Sequence, residues 1–124
     1  MHSSMDTIND YSGDVELRND TDIAGRLDGS VTVLSGVMVN IHGIVTGDVT
    51  IQGSSEVLVH GIVSGDVRAN SGTLIIDGTV SRNVTNEGGD VEIRGTVGGD
   101  VVHRSGGTQV HPDAMVGGGT IGID

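Results

Sequence analysis

The sequence predicts an all-β fold: a single-domain parallel β-solenoid of triangular cross-section, with about six coils of 17–18 residues. Three observations predict it. The first is a repeat. His42-Gly43-Ile44-Val45-Thr46-Gly47-Asp48-Val49 returns as His60-Gly61-Ile62-Val63-Ser64-Gly65-Asp66-Val67, Asp77-Gly78-Thr79-Val80-Ser81-Arg82-Asn83-Val84 and Arg94-Gly95-Thr96-Val97-Gly98-Gly99-Asp100-Val101. An earlier copy begins at Ala24-Gly25 and a degraded one at Asp113-Ala114, so the anchors 25, 43, 61, 78, 95 and 114 are spaced 18, 18, 17, 17 and 19 apart. The second observation is strict alternation of aliphatic and polar residues within each copy, the period of a strand with one buried face. The third is composition: 22 Gly, one Pro, one Tyr and no Phe, Trp or Cys leave Val, Ile and Leu to build the core.

The elements follow from the anchors in order. Four residues before them stand Val39, Val57, Leu74, Val91 and Val110, and two before stand Ile23, Ile41, Val59, Ile76 and Ile93. Two after stand Leu27, Val45, Val63, Val80, Val97 and Val116; six after stand Val31, Val49, Val67, Val84 and Val101. Val33, Ile51 and Ala69 extend the last group. These groups make three short strands per coil, and coils stack by parallel backbone bonding at about 4.8 Å. One coil cannot bury its own apolar face, so the core exists only in the stack. The glycines at and four residues after the anchors are read as corners that need positive φ, with Asn83 the next best residue for that conformation. Residues 12–124 are assigned to the solenoid. Residues 1–11 are read as a polar N-terminal extension, with Met1-His2-Ser3-Ser4 as an expression scar.

Charge narrows the function. A formal net charge of −11 opposes binding to nucleic acid and to anionic lipid. No apolar run has the length of a membrane span, and no secretory leader is visible. The absence of Cys removes disulfides and thiolate chemistry and fits a cytoplasmic location.

The pattern in Val39-Asn40-Ile41-His42-Gly43-Ile44-Val45-Thr46-Gly47-Asp48-Val49, repeated at Val57–Val67 and in the later copies, resembles the bactofilin family. The resemblance covers roughly residues 12–124. It implies a right-handed β-helix and a bacterial cytoskeletal scaffold that polymerises end to end without nucleotide. Members often carry disordered tails and an aromatic residue near the C-terminal end of the core; here Met115-Val116 stands nearest to that position. The six-residue spacing of Val33, Val39, Val45, Ile51, Val57, Val63 and Ala69 also resembles the hexapeptide repeat of left-handed β-helix acyltransferases and gamma-class carbonic anhydrases. That register slips after Ala69, whereas the Gly-x-Val-x-Gly-Asp-Val pattern continues to Val101.

Candidate chemistry is sparse. His42 and His60 share a column about 5 Å apart, continued by Asp77 and Arg94, and are read as an outward polar column with a charge ladder rather than a metal site. Asp48, Asp66, Asn83 and Asp100 are read as side chains that cap their own corners, not as a cation stripe. Gly117-Gly118-Gly119 has neither the Lys nor the helix of a phosphate loop. No catalytic, cofactor or metal residue is assigned.

The expected function is a non-enzymatic scaffold that self-assembles into filaments or end-to-end dimers. Its interface is placed at Met115, Val116, Thr120, Ile121 and Ile123, opposite an N-terminal region holding seven of the 17 acidic residues within positions 1–30. Two outward aliphatic pairs, Ile44 with Ile62 and Leu58 with Ile75, are candidate lateral contacts. The principal partner is a second copy of the chain; another protein is the second partner class, with an acidic binding or inhibitor module as the alternative function. A hexapeptide-coil enzyme is the remaining alternative.

Overall fold

A computed structural model describes residues 6–122, whose 17 strands form one parallel sheet wound into about six turns. The chain enters through β1 (Asp6–Ser12) and β2 (Val15–Leu17), then β3 (Thr21–Asp28) and β4 (Val31–Val33). Two regular coils follow, β5 (Met38–Ile41), β6 (Ile44–Val45) and β7 (Val49–Ile51), then β8 (Glu56–Val59), β9 (Ile62–Val63) and β10 (Val67–Ala69). Next come β11 (Thr73–Ile76), β12 (Thr79–Val80) and β13 (Val84–Ile93), then β14 (Thr96–Val97), β15 (Val101–Val110), β16 (Met115–Val116) and β17 (Thr120–Gly122). Three faces result. The first runs through β5, β8 and β11, the second through β6, β9, β12, β14 and β16, and the third through β4, β7 and β10. The long strands β1, β3, β13 and β15 each run around a corner and serve two faces.

The repeat columns are the register of this sheet. Val39 pairs with Val57, Val57 with Leu74 and Leu74 with Val91, and the Val45-Val63-Val80-Val97 column is equally continuous. Every columnar aliphatic named above is buried except Val110 and Val116, and Leu17 and Val37 join them. Burial of each such side chain contributes about 1.5–3 kcal/mol, so the stack is held by its interior.

The structure revises four expectations about the strands and corners. Residues 6–11, set aside as an extension, form most of β1. Ile8 pairs with Ile23 and Tyr11 with Leu27, on either side of a register shift between Ile8 and Asp10. Asn9 stands there in place of the anchor Gly, which hides the copy from an anchor search. Val110 pairs with Ile93, so it belongs two residues before the anchor, not four. The corner His111-Pro112-Asp113-Ala114 holds the extra residues of the 19-residue step, and Val110 is 37% exposed.

The third revision concerns the anchor glycines. Gly61 and Gly78 do not have positive φ; a Cβ on either would lie far inside contact distance of the preceding coil's glycine carbonyl. Close stacking requires Gly there, not a left-handed turn. Positive φ falls instead mostly at the corner between the third and first faces, for example Gly53 (φ 74°) and Gly72 (φ 81°), and at Gly13 (φ 122°) in the first turn. The fourth concerns Asn83: no described non-glycine residue has positive φ, so Asn83 stands at its corner for another reason, taken up below.

These roles predict a graded series. Gly78→Ala pushes a methyl into backbone that cannot yield and should cost on the order of 3 kcal/mol or prevent folding. Gly36→Ala has open space but a φ of 82° and should cost about 1 kcal/mol. Gly119→Ala, with nothing within 4 Å of the added carbon, should be near neutral. Urea unfolding midpoints of the three variants check the order.

Candidate assembly surfaces

The acidic column is a structural ladder along the coil axis. Asp14 accepts the backbone N–H of Ser30, the Ser30 hydroxyl that of Asp48, Asp48 that of Asp66, and Asp66 that of Asn83. Asn83 Oδ1 then accepts the N–H of Asp100 at 2.8 Å, and Asp100 that of Gly119 at 3.1 Å. Each side chain therefore caps the next coil's corner rather than its own. Asn83 keeps the ladder unbroken because its amide oxygen can accept the same bond. Such bonds to charged acceptors are the stronger kind, and the column is occupied by this duty.

The histidine column is built differently. The His42 and His60 rings stack with centroids 5.2 Å apart. His42 Nδ1 lies 2.7 Å from Asp22, and His60 Nδ1 lies 3.6 Å from Asp77. The expected continuation to Arg94 is not made: Arg94 turns to Glu92 at 2.7 Å. That hydrogen bond raises the Arg94 pKa above the ordinary guanidinium value, as Asp28 does for Arg26. Among the described residues no three His, Asp or Glu side chains converge as metal ligands.

The interior changes character toward the C-terminal end. The column Val33-Ile51-Ala69 continues as Asn86 and His103, and Thr108 follows Val91. Asn86 is fully buried. Its amide nitrogen donates toward the carbonyls of Gly89 and Gly107 and toward Thr108 Oγ1, and its Oδ1 accepts the N–H groups of Gly88 and Gly89. His103 Nδ1 meets Thr108 Oγ1 at 2.8 Å. The sequence reading passed over this cluster because polar residues in an aliphatic column look like the end of a repeat.

Of the residues assigned to assembly, Val116 pairs with Val97 and closes its column, half-buried. Thr120 occupies the column of Val101 and is exposed. Met115 lies on the outer side of the second face, 68% exposed. Ile121 pairs in register with Val102. Ile123 lies outside the described residues. At the opposite end Ile8, Tyr11 and Val15 form the first interior layer; Ile8 and Val15 pack on the core, and Tyr11 is 46% exposed. The chain's one aromatic residue was the available signal for this layer.

The family model described as bactofilin, polymer-forming cytoskeletal, matches residues 6–86. The chain belongs to the bactofilin family. Membership makes it a structural scaffold protein of the cytoskeletal type. The match begins with β1 and ends at Asn86, where the interior turns polar. No curated protein and no solved structure matches the chain. Among the described residues no helix is long and apolar enough to cross a membrane.

The two polar devices should differ in weight. Asp66→Ala removes one corner bond near solvent and should cost about 1 kcal/mol, whereas Asn86→Ala strands several buried backbone groups and should cost about 3 kcal/mol. Denaturant unfolding of both variants measures the difference.

Proposed function

We propose that this bactofilin self-assembles end to end, with the two terminal layers of the solenoid as the contact. The observation that carries this reading is the course of the core. Its columns run to Val110, Val116 and Thr120 at one end and to Ile8 and Tyr11 at the other, where Val110 and Tyr11 are 37% and 46% exposed. A terminal coil exposes both half the apolar contact that an inner coil makes and a row of unpaired backbone groups. Stacking a second copy supplies both. The same layers serve a closed dimer if like ends meet and a filament if the contacts recur. A second copy of the chain as partner and the cytoplasm as location belong to this reading, supported by the polymer-forming description of the family.

Val116→Arg places a charge in the terminal layer. At about 1.5–3 kcal/mol for the lost burial, the concentration needed for assembly should rise about tenfold or more. Sedimentation and negative-stain microscopy of wild type and variant measure it. Thr50→Arg, outward on the third face, should leave end-to-end assembly in place. Wild-type protein that stays monomeric at high concentration contradicts the reading.

A further inference from the structure

The outward aliphatic pairs, Ile44 with Ile62 and Leu58 with Ile75, stand in register on the second and first faces, and nothing in the structure shows what covers either. The interior of the C-terminal layer offers more. The column that begins at Leu17 runs through Val33, Ile51, Ala69 and Asn86 to His103, and its next position is Gly122. Glycine adds no side chain, so His103 is the last side chain of its column among the described residues, and it is half-buried. Histidine is the side chain that ordinarily exchanges its proton between about pH 5 and 8.

The surroundings of His103 suit a neutral ring. Asn86 Nδ2 donates to Thr108 Oγ1 at 2.9 Å, and Thr108 Oγ1 lies 2.8 Å from His103 Nδ1. With the ring neutral and its hydrogen on Nε2, the Thr108 hydroxyl donates to Nδ1 while it accepts from Asn86. With the ring protonated, Nδ1 becomes a donor, both neighbours aim hydrogens at Thr108, and the hydroxyl hydrogen has to turn away. No charge faces the ring in compensation among the described residues. On β13 beneath, Glu87, Asp90 and Glu92 lie on the outer side, with Glu87 held by Arg68 at 3.2 Å and Glu92 by Arg94 at 2.7 Å. On β15 itself Arg104 is exposed, and β14, β16 and β17 hold no charged residue. At the adjoining corners Asp100 accepts the N–H of Gly119, and His111 lies 4.0 Å from Asp113.

A second copy stacked on the C-terminal layer covers this ring. Contact between unlike ends brings Leu17, the first side chain of the same column, with Asp14 and Glu16 exposed outside it. Contact between like ends brings a second His103. Neither places a counter-charge inside, so burial by the partner disfavours the protonated ring. We infer that His103 puts end-to-end assembly under the control of protons: the C-terminal layer accepts a second copy when the ring is neutral and resists one when it is charged. This regulation rests on the end-to-end reading above. A ring that takes up its proton less readily in the assembly than in the free chain favours assembly at high pH, and that contribution is lost as the pH falls through the histidine range. The rest of the chain acts in the opposite sense, because acid reduces the net charge of −11 and the repulsion between copies.

Sedimentation of the wild-type chain from about pH 8 down to about pH 5.5 tests this. The concentration needed for assembly should rise about tenfold over that range, the effect of one histidine that must shed its proton to assemble. His103→Asn and His103→Gln keep an acceptor and do not titrate. With circular dichroism showing them folded, they should assemble as well or better at the lower pH. His111→Asn, on the exposed corner of the same layer, should keep the wild-type profile. Assembly of the wild-type chain near pH 6 in weak buffer should also release protons, a readout that needs no variant. A wild-type profile retained by both His103 variants, wild-type assembly that strengthens on acidification, or assembly without proton release would each overturn the inference and leave end-to-end assembly standing. Wild-type protein that stays monomeric at about pH 8 and high concentration would overturn the end-to-end reading itself, and this regulation with it.

Discussion

The structure depends on one repeated interaction, the parallel backbone ladder that fixes each coil about 4.8 Å above the last. That spacing holds at corners as well as along strands, and it decides which residues the corners accept. At the anchors it excludes a Cβ, because the preceding carbonyl already occupies the space beside Gly61 and Gly78. At the following corner it brings each Asp, Ser or Asn side chain within reach of the next coil's N–H, and the ladder from Asp14 to Gly119 results. Inside, it stacks aliphatic on aliphatic along most columns, and the one that runs from Ile51 through Ala69 to Asn86 is the exception. Val, Ile and Leu fit that spacing; a large aromatic ring in the narrow interior would not.

Much of this was legible in the sequence because the fold is periodic. An anchor and its offsets specify a face, and a face specifies burial, so the columns led directly to the core. The failures share a cause. Where a coil gains or loses a residue, the offset no longer names the column. Val110 was misplaced by the longer corner at His111-Pro112-Asp113-Ala114, and β1 was missed because its copy is short and has Asn9 at the anchor. The reason for the anchor glycines was also beyond the sequence. Positive φ and close approach both select Gly, and only the backbone geometry separates Gly78 from Gly72.

For the candidate surfaces the legible part was smaller. Val116 and Thr120 could be placed at the C-terminal end because the repeat runs out there. The matching layer of Ile8 and Tyr11 could not, since it lies in a stretch that reads as polar. The hydrogen bonds of Asn86 were likewise hidden, because its partners at Gly89, Gly107 and Thr108 come together only through the coil. In the proposed assembly, the terminal layers of the described coils meet a second copy.

The central claim is that assembly continues the coil stack along the solenoid axis. Fibre diffraction from oriented assemblies tests it most directly. The account predicts a strong reflection near 4.8 Å on the meridian, along the assembly axis. The same reflection on the equator, with the coils stacked across the assembly axis, would contradict it.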